Sequence, residues 1–393
     1  MRERTTRRRY LRLAGTLSAG VTGAGCLRAG QSSDDGETET SSARLSYPES
    51  DRVTWHLPLG GQYNDGLAGV VSTDSGPVAF GGRAGDGWKG PWLLGRDDDG
   101  AARWEQTLDA EQFLVPTDGT VLNDGQLAFS LVGLTEAVGG FRGLLVTEAD
   151  GSVTYRSQPT ENGSADRAIT QHSDGTLVLG GEVGSNQRNG SVRSVSASGD
   201  QQWEYRIGTD GSSVVTGVAP TSDGVIAVGI ERQASEQSGW IATVTADGAT
   251  RQTTLDSPAA AVRRNSDGYL VRTDAGWHRV DEGGGVREHE VFGGHPYPMA
   301  AVRSGLLFVG ESDDETANGV LVATTDDGQQ RWRDTIGGSY RDVLEGVVGL
   351  ADGSALAVGS TQSYRSEQQA ATGTETADDG SPQPNGWLVR IDA

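Results

Sequence analysis

The chain is 393 residues long, with 59 glycines but only 35% apolar and 6% aromatic residues. That mixture excludes a protein of long helices, since interior Gly costs about 1 kcal/mol per helical position, and favours short strands joined by tight turns. The formal net charge is −22, and Lys89 is the single lysine among 32 basic residues. No basic patch is left to neutralise phosphates, which excludes nucleic acid as a partner. An acidic, lysine-poor surface stays hydrated where concentrated salt screens charge within about 3 Å at 1 M, so a halophilic source is expected.

In chain order, the first feature is Thr6-Arg7-Arg8-Arg9-Tyr10-Leu11-Arg12. Paired Arg ahead of an aromatic and a Leu looks like a twin-arginine export signal. The weakly apolar stretch that follows, Leu13 to Gly25, is too short and Gly-rich for a permanent membrane span. It ends in Gly23-Ala24-Gly25-Cys26, and small residues before a Cys resemble a lipobox. The Leu usual three positions before the Cys is Gly23 here. Cys26 is the only cysteine, which excludes an internal disulfide and a vicinal-cysteine redox site. The expectation is a signal peptide over residues 1–25, lipid on Cys26, and anchorage to the outer face of the cytoplasmic membrane. Residues 26–51 read as a polar, disordered tether. Asn162 and Asn189 open Asn-Gly-Ser sequons, either glycan acceptors on an exported protein or bare turns.

From residue 52 one unit repeats. A Gly-containing turn is followed four residues later by an aromatic: Gly100 to Trp104, Gly151 to Tyr155, Gly199 to Trp203 and Gly328 to Trp332. Gln252 and His289 fill the same slot, and Trp55 opens the series. The slots at 55, 104, 155, 203, 252, 289 and 332 are spaced 37 to 51 residues apart, the period of four-stranded propeller blades. A second turn precedes a short apolar strand ending in Gly, as in Asp174-Gly175 to Gly180, Asp223-Gly224 to Gly229 and Asp352-Gly353 to Gly359. Asp-Gly suits such turns because they need positive φ. A third strand often begins with Trp, at Trp92, Trp240, Trp277 and Trp387, each expected to pack between blades.

The last unit stops after its third strand, at Trp387 to Ala393, whereas the first carries a spare strand, Val53 to Leu57. Pairing of the two would close the ring and remove exposed edges. The reading is all-β: a seven-bladed β-propeller over residues 52–393, with four-stranded blades and the N-terminal strand completing the last blade.

On these residues the unit resembles the quinoprotein-like (PQQ-like) and delta-type propeller repeats of many lipoproteins of halophilic archaea. The resemblance covers roughly residues 52 to 393. It implies an extracellular, membrane-anchored propeller, a fold that hosts enzymes, receptors and scaffolds alike. True quinone-cofactor repeats carry Ala-x-Asp-x-x-Thr-Gly before the Trp. Here Asp97-Asp98-Asp99-Gly100-Ala101-Ala102-Arg103-Trp104 keeps only the turn and the Trp, so no redox cofactor is expected.

Chemistry is sparse. His56, His172, His278, His289 and His295 are scattered, and only His289 and His295 approach ligand spacing, so no metal is expected. The acidic runs Asp97-Asp98-Asp99 and Asp313-Asp314-Glu315 lack calcium-loop spacing and read as hydrated turns. No phosphate loop or nucleophile elbow is present. Three units share a Gly-Gly turn followed by polar or aromatic residues: Gly60-Gly61 with Tyr63, Asn64 and Asp65; Gly293-Gly294 with His295 and Tyr297; Gly337-Gly338 with Tyr340, Arg341 and Asp342. Such loops gather on one propeller face, where these eight side chains would converge on a ligand. The competing reading is repeat-structural, with the Asp capping a turn and the Tyr packing between blades. The long polar insert Gln362 to Pro384 reads as a surface loop. The function expected is a monomeric binding or scaffolding module for a protein, glycan or small ligand. The alternative is a propeller enzyme, a glycan lyase or quinone-dependent dehydrogenase, working at the channel mouth.

Overall fold

The computed structural model describes residues 50–393 except 62–63, 86–87, 110–112, 136–138, 158–163, 185–187, 208–210, 234–235, 266, 291–294, 313–316, 327–328 and 365–382. The expected export signal, Cys26 and all but the end of the expected tether lie outside the described residues, as do Tyr63 and Asn162.

The described residues form seven four-stranded antiparallel sheets around a common axis, a seven-bladed β-propeller without helices. The chain enters through β1 (Val53–Leu59). Blade 1 is β2 (Gly66–Thr73), β3 (Gly76–Gly85), β4 (Trp88–Arg96) and β5 (Ala102–Thr107). Blade 2 is β6 (Phe113–Val121), β7 (Leu127–Thr135), β8 (Gly139–Thr147) and β9 (Val153–Arg156). Blade 3 is β10 (Ala165–Gln171), β11 (Leu177–Val183), β12 (Asn189–Val195) and β13 (Gln201–Ile207). Blade 4 is β14 (Ser212–Pro220), β15 (Val225–Gln233), β16 (Glu236–Thr245) and β17 (Gly248–Leu255). Blade 5 is β18 (Ala259–Asn265), β19 (Gly268–Thr273), β20 (Gly276–Val280) and β21 (Val286–Glu290). Blade 6 is β22 (His295–Val302), β23 (Gly305–Glu311), β24 (Gly319–Thr324) and β25 (Gln330–Ile336). Blade 7 is β26 (Asp342–Gly349), β27 (Ala355–Thr361) and β28 (Asn385–Ile391).

Blade 7 is completed as the sequence predicts. β1 pairs antiparallel with β28, with Leu57 opposite Leu388 and Leu59 opposite Gly386. The ring is therefore held shut by backbone hydrogen bonds between the two ends of the propeller, which cover β28 and make β1 the outer strand of blade 7.

One apolar cluster fills each of the seven blade boundaries. The four third-strand tryptophans, Trp92, Trp240, Trp277 and Trp387, are all buried in these clusters. Their role is packing between blades.

Every inner strand carries a register shift, as at Leu67/Gly69, Val215/Gly217 and Leu344/Gly346. A bulge leaves one residue unpaired and bends the strand around the axis. The residue opposite must then yield space. A Cβ at Gly229 would stand 2.1 Å from the Val214 carbonyl oxygen, and one at Gly359 1.9 Å from that of Val343. The closing Gly of the repeat thus serves the bulge in the inner strand.

Because adjacent strands are antiparallel, each blade sends two kinds of connection to each end. The tight turns after inner and third strands form one end, here the turn face. The crossover loops from outer to next inner strand, with the loops between second and third strands, form the other, here the crossover face. Residues 50–52 enter at the turn face, where the Asp392 amide donates to the Arg52 carbonyl.

Candidate functional site

The loops read from the Gly-Gly turns are crossover loops. They precede blades 6, 7 and 1, which are consecutive around the ring, and among the described residues Asn64, Asp65, Tyr340, Arg341 and Asp342 lie in one sector of the crossover face.

Two of these loops are built alike. Asp65 is buried and accepts hydrogen bonds from the Gly61 amide (2.7 Å) and the Ala84 amide (2.9 Å). Asp342, also buried, accepts from the Gly338 amide (2.8 Å), the Thr361 hydroxyl (2.5 Å) and the Ser363 hydroxyl (2.6 Å). The amides of Asp65 and Asp342 donate in turn to the Pro384 and Ala317 carbonyls, tying each loop to the neighbouring second-to-third strand connection. In blade 4, Ser213 makes the same kind of clasp. It accepts from the Gly190 amide (2.7 Å) and donates to the Ile207 carbonyl (2.6 Å). Both aspartates are therefore occupied by the fold's own donors and hold the loops in place. Asn64 is half-buried beside Asp65. The backbone of His295 and Tyr297 lies in β22, while their side chains lie outside the described residues.

The clasp on Asp342 leaves Tyr340 and Arg341 projecting. Tyr340 is 45% exposed, and its backbone is pinned at both ends by Ser363 (3.0 and 3.2 Å). Arg341 forms a two-pronged ion pair with Glu311 at the end of β23 (2.9 and 3.0 Å). Ala317, which accepts the Asp342 amide, is the only non-glycine residue with positive φ (55°) among the described residues. Such a conformation costs of order 1 kcal/mol, and strain of this kind gathers where a fold supports a site.

Glu345, at the bulge of β26, is a site residue that the repeat pattern does not single out. Among the described residues no donor hydrogen-bonds to it. Enclosure at the channel wall raises its pKa, against the pull of Arg341 and with the help of Glu311. It is nevertheless reached by solvent. Its signal in the sequence is an acid inside an otherwise apolar run, Val343-Leu344-Glu345-Gly346-Val347-Val348. Glu311, Arg341 and Glu345 thus form a charged group at the channel mouth, with an exposed tyrosine beside it.

Elsewhere, Asn189 starts β12 and is half-buried, paired with Val183. Among the described residues no three His, Cys, Asp or Glu side chains are grouped to hold a metal ion. The crossover face therefore offers a rigid polar and aromatic surface built on clasped loops.

No family model matches this chain, and no curated protein matches it. Solved structures do. It is similar to a chain of the mitotic checkpoint complex at 12% identity and a TM-score of 0.53, covering 96% of this chain and 100% of that one. It is also similar to a protein of unknown function from Dyadobacter fermentans, at 12% identity and a TM-score of 0.50, over 86% and 99% of the two chains. The periplasmic gluconolactonase of Pseudomonas aeruginosa matches at 14% identity and a TM-score of 0.48, over 84% and 99%. At such identities the likeness is one of fold, and the chain is a β-propeller.

Proposed function

We propose that this chain is an exported, lipid-anchored propeller of a halophilic, archaeal cell surface that binds a protein, glycan or small ligand on its crossover face. The observation that carries this reading is the loop into blade 7. Its buried Asp342 clasp holds exposed Tyr340 and the Arg341–Glu311 pair outward at fixed geometry. Rigid aromatic and Arg side chains at a preorganised surface favour recognition, because little freedom is lost on binding. Asn64 and, from the sequence, Tyr63, His295 and Tyr297 extend the surface over the adjoining blades. The polarity of β1 supports the same reading. The chain enters at the turn face, so a tether anchored at Cys26 would leave from the end opposite this surface.

The test is a pull-down from membranes in concentrated salt, with the mass of the mature N-terminus read in parallel. Wild-type protein should retain a partner that Tyr340→Ala and Arg341→Ala release, and Cys26 should carry lipid. Equal recovery by wild type and both variants would defeat the binding surface, and an unmodified Cys26 would remove the anchor.

One observation favours the enzyme alternative. Glu345 has a raised pKa and, among the described residues, no donor bonds to it beside the Arg–Glu pair, as a general acid in a glycan-cleaving site would require. Under that reading Glu345→Gln abolishes turnover of a surface glycan while leaving its binding intact.

A further inference from the structure

Blades 5 and 6 meet differently from the rest. At the other six boundaries the inner strands of neighbouring blades run side by side near the axis, whereas β18 and β22 barely approach each other among the described residues. Their boundary is bridged by side chains instead. Among the described residues, Trp277 and Leu270 from blade 5 meet Met299, Leu306, Phe308, Val320 and Val322 from blade 6 in one apolar cluster.

Arg263 lies at the hub end of this gap. It stands on β18, and one nitrogen donates to the Met299 carbonyl on β22 (2.7 Å). Among the described residues no carboxylate pairs with it, in a chain with 54 acidic residues to 32 basic ones. Its neighbour Arg264 does have a partner, Glu282 at 3.0 Å. The Arg263 side chain remains open to solvent along the gap, although protein surrounds it closely enough for desolvation to lower its pKa. The solvent-facing side of this guanidinium, without a counter-charge of its own, is open to an anion from outside. Arg presents a planar fork of donors that fits an oxyanion, and only one of those donors is committed to Met299.

We propose that the opening between β18 and β22 is an anion-binding cleft in the channel wall, with Arg263 as its ligating side chain and a carboxylate or phosphate group as its ligand. The cleft is distinct from the crossover-face surface, so either assignment can fail without the other.

The experiment is thermal unfolding of the full chain at fixed ionic strength, with potassium phosphate or potassium malonate progressively replacing potassium chloride. Both anions also stabilise proteins non-specifically by exclusion from the surface, so the decisive quantity is the difference between variants. The wild-type midpoint should rise saturably, with a half-effect at millimolar anion. Arg263→Lys should keep the saturable rise at about tenfold higher concentration, and Arg263→Gln should lose it. Tyr340→Ala should respond as wild type does. A rise with phosphate alone assigns a phosphorylated ligand, and one with malonate alone a carboxylate. A wild-type response that does not saturate, or one that Arg263→Lys reproduces at the same concentrations, overturns the proposal even if Arg263→Gln does not fold.

Discussion

The ring of Trp55 lies directly over Gly100. A Cβ added to that glycine would stand 2.5 Å from Cη2 of the indole. Trp55 belongs to the outer strand of blade 7 and Gly100 to the third-to-fourth strand turn of blade 1, so the contact crosses the seam of the ring. The same contact recurs between Trp104 and Gly151, Tyr155 and Gly199, and Tyr205 and Gly248. The turn glycine and the aromatic of the repeat are therefore partners across blades, each ring seated on the bare turn of the next. At blade 7 no such turn exists because the propeller begins there. Arg52 takes its place over Trp332, at 4.3 Å from the ring centre.

This pairing separates two glycines with nearly the same backbone. Gly100 (φ 85°) lies under an indole, while a Cβ added at Gly125 (φ 87°) would meet nothing within 4 Å. Gly125→Ala should cost only the left-handed backbone penalty, about 1 kcal/mol. Gly100→Ala should add the displacement of the ring, for about 3 kcal/mol in total. Denaturant unfolding of both variants in concentrated salt checks this, and equal losses would deny the ring any part in holding the blades together.

The clasp and the presented residues should also separate. Asp342→Ala leaves the Gly338 amide and the hydroxyls of Thr361 and Ser363 without their acceptor, and should cost about 3 kcal/mol. Tyr340→Ala and Arg341→Ala should each cost less than about 1 kcal/mol, since the Arg341–Glu311 pair is partly exposed. Melting curves of the three variants decide it. A large loss for Arg341→Ala would make that residue part of the frame.

Acid should stabilise the protein over a defined window. Asp118 lies on β6 at the hub, where its carboxylate accepts the Gly119 amide and, across to blade 3, the Ile169 amide (both 2.9 Å). Burial pushes its pKa up to about 6 against those two hydrogen bonds, and burial likewise raises Glu345. An unfolded Asp titrates near 3.9, so between about pH 4 and 6 the folded chain holds more protons than the unfolded one. Stability from these groups is therefore fully present at and below about pH 4, falls as pH rises from about 4 through 6, and then levels off. Asp150, Asp174 and Asp352 act oppositely. Hydrogen bonds from Ser152, Thr176 and Ser354 lower their pKa values, so their contribution is present above about pH 4 and fades below it. Unfolding free energies measured from pH 4 to 8 in molar KCl should show the fall, and Asp118→Asn should reduce its slope. A flat profile in both proteins would mean that Asp118 is not enclosed.

Ring closure has a covalent counterpart. A chain starting at Arg52 keeps β1 and the Arg52–Trp332 contact, and should unfold cooperatively. A chain lacking residues 52–58 strips the outer strand from blade 7, exposes β28 and uncovers the rings of Trp332 and Trp387. It should lose cooperative unfolding, visible as a broad calorimetric transition. Equal melting of both chains would count against closure.

Much of this fold can be read before any coordinates, because a propeller repeats its chemistry. Turn glycines with positive φ, rings four residues later and apolar third strands recur at a fixed period, and the incomplete final unit points to Val53–Leu57 as its missing strand. What stays hidden is the pairing of those signals. The ring at Trp104 meets the glycine of the next unit at Gly151, and in blade 3 the ring that reaches across is Tyr205, two residues beyond the slot at Trp203. A sequence period shows which residues are equivalent but not which equivalents touch. The candidate site is legible in part. The described Gly-Gly loops, at Gly60 and Gly337, share a face, and Asp65 and Asp342 cap them as the repeat-structural reading of the sequence expects. Glu345 and Arg263 give little warning because bulged inner strands turn charged residues toward the axis where alternation alone would bury them.

The ring is locked by its own N-terminal strand, which also sets the crossover face opposite the point of entry. Amide hydrogen exchange of Thr54 to Leu59 under native conditions tests it most directly. Protection of the amides bonded to β28, at a level close to that of β5 and β9 in their own blades, is the result this account requires. Exchange of the whole segment at the rate of an unstructured chain, with the rest of blade 7 still protected, would contradict it.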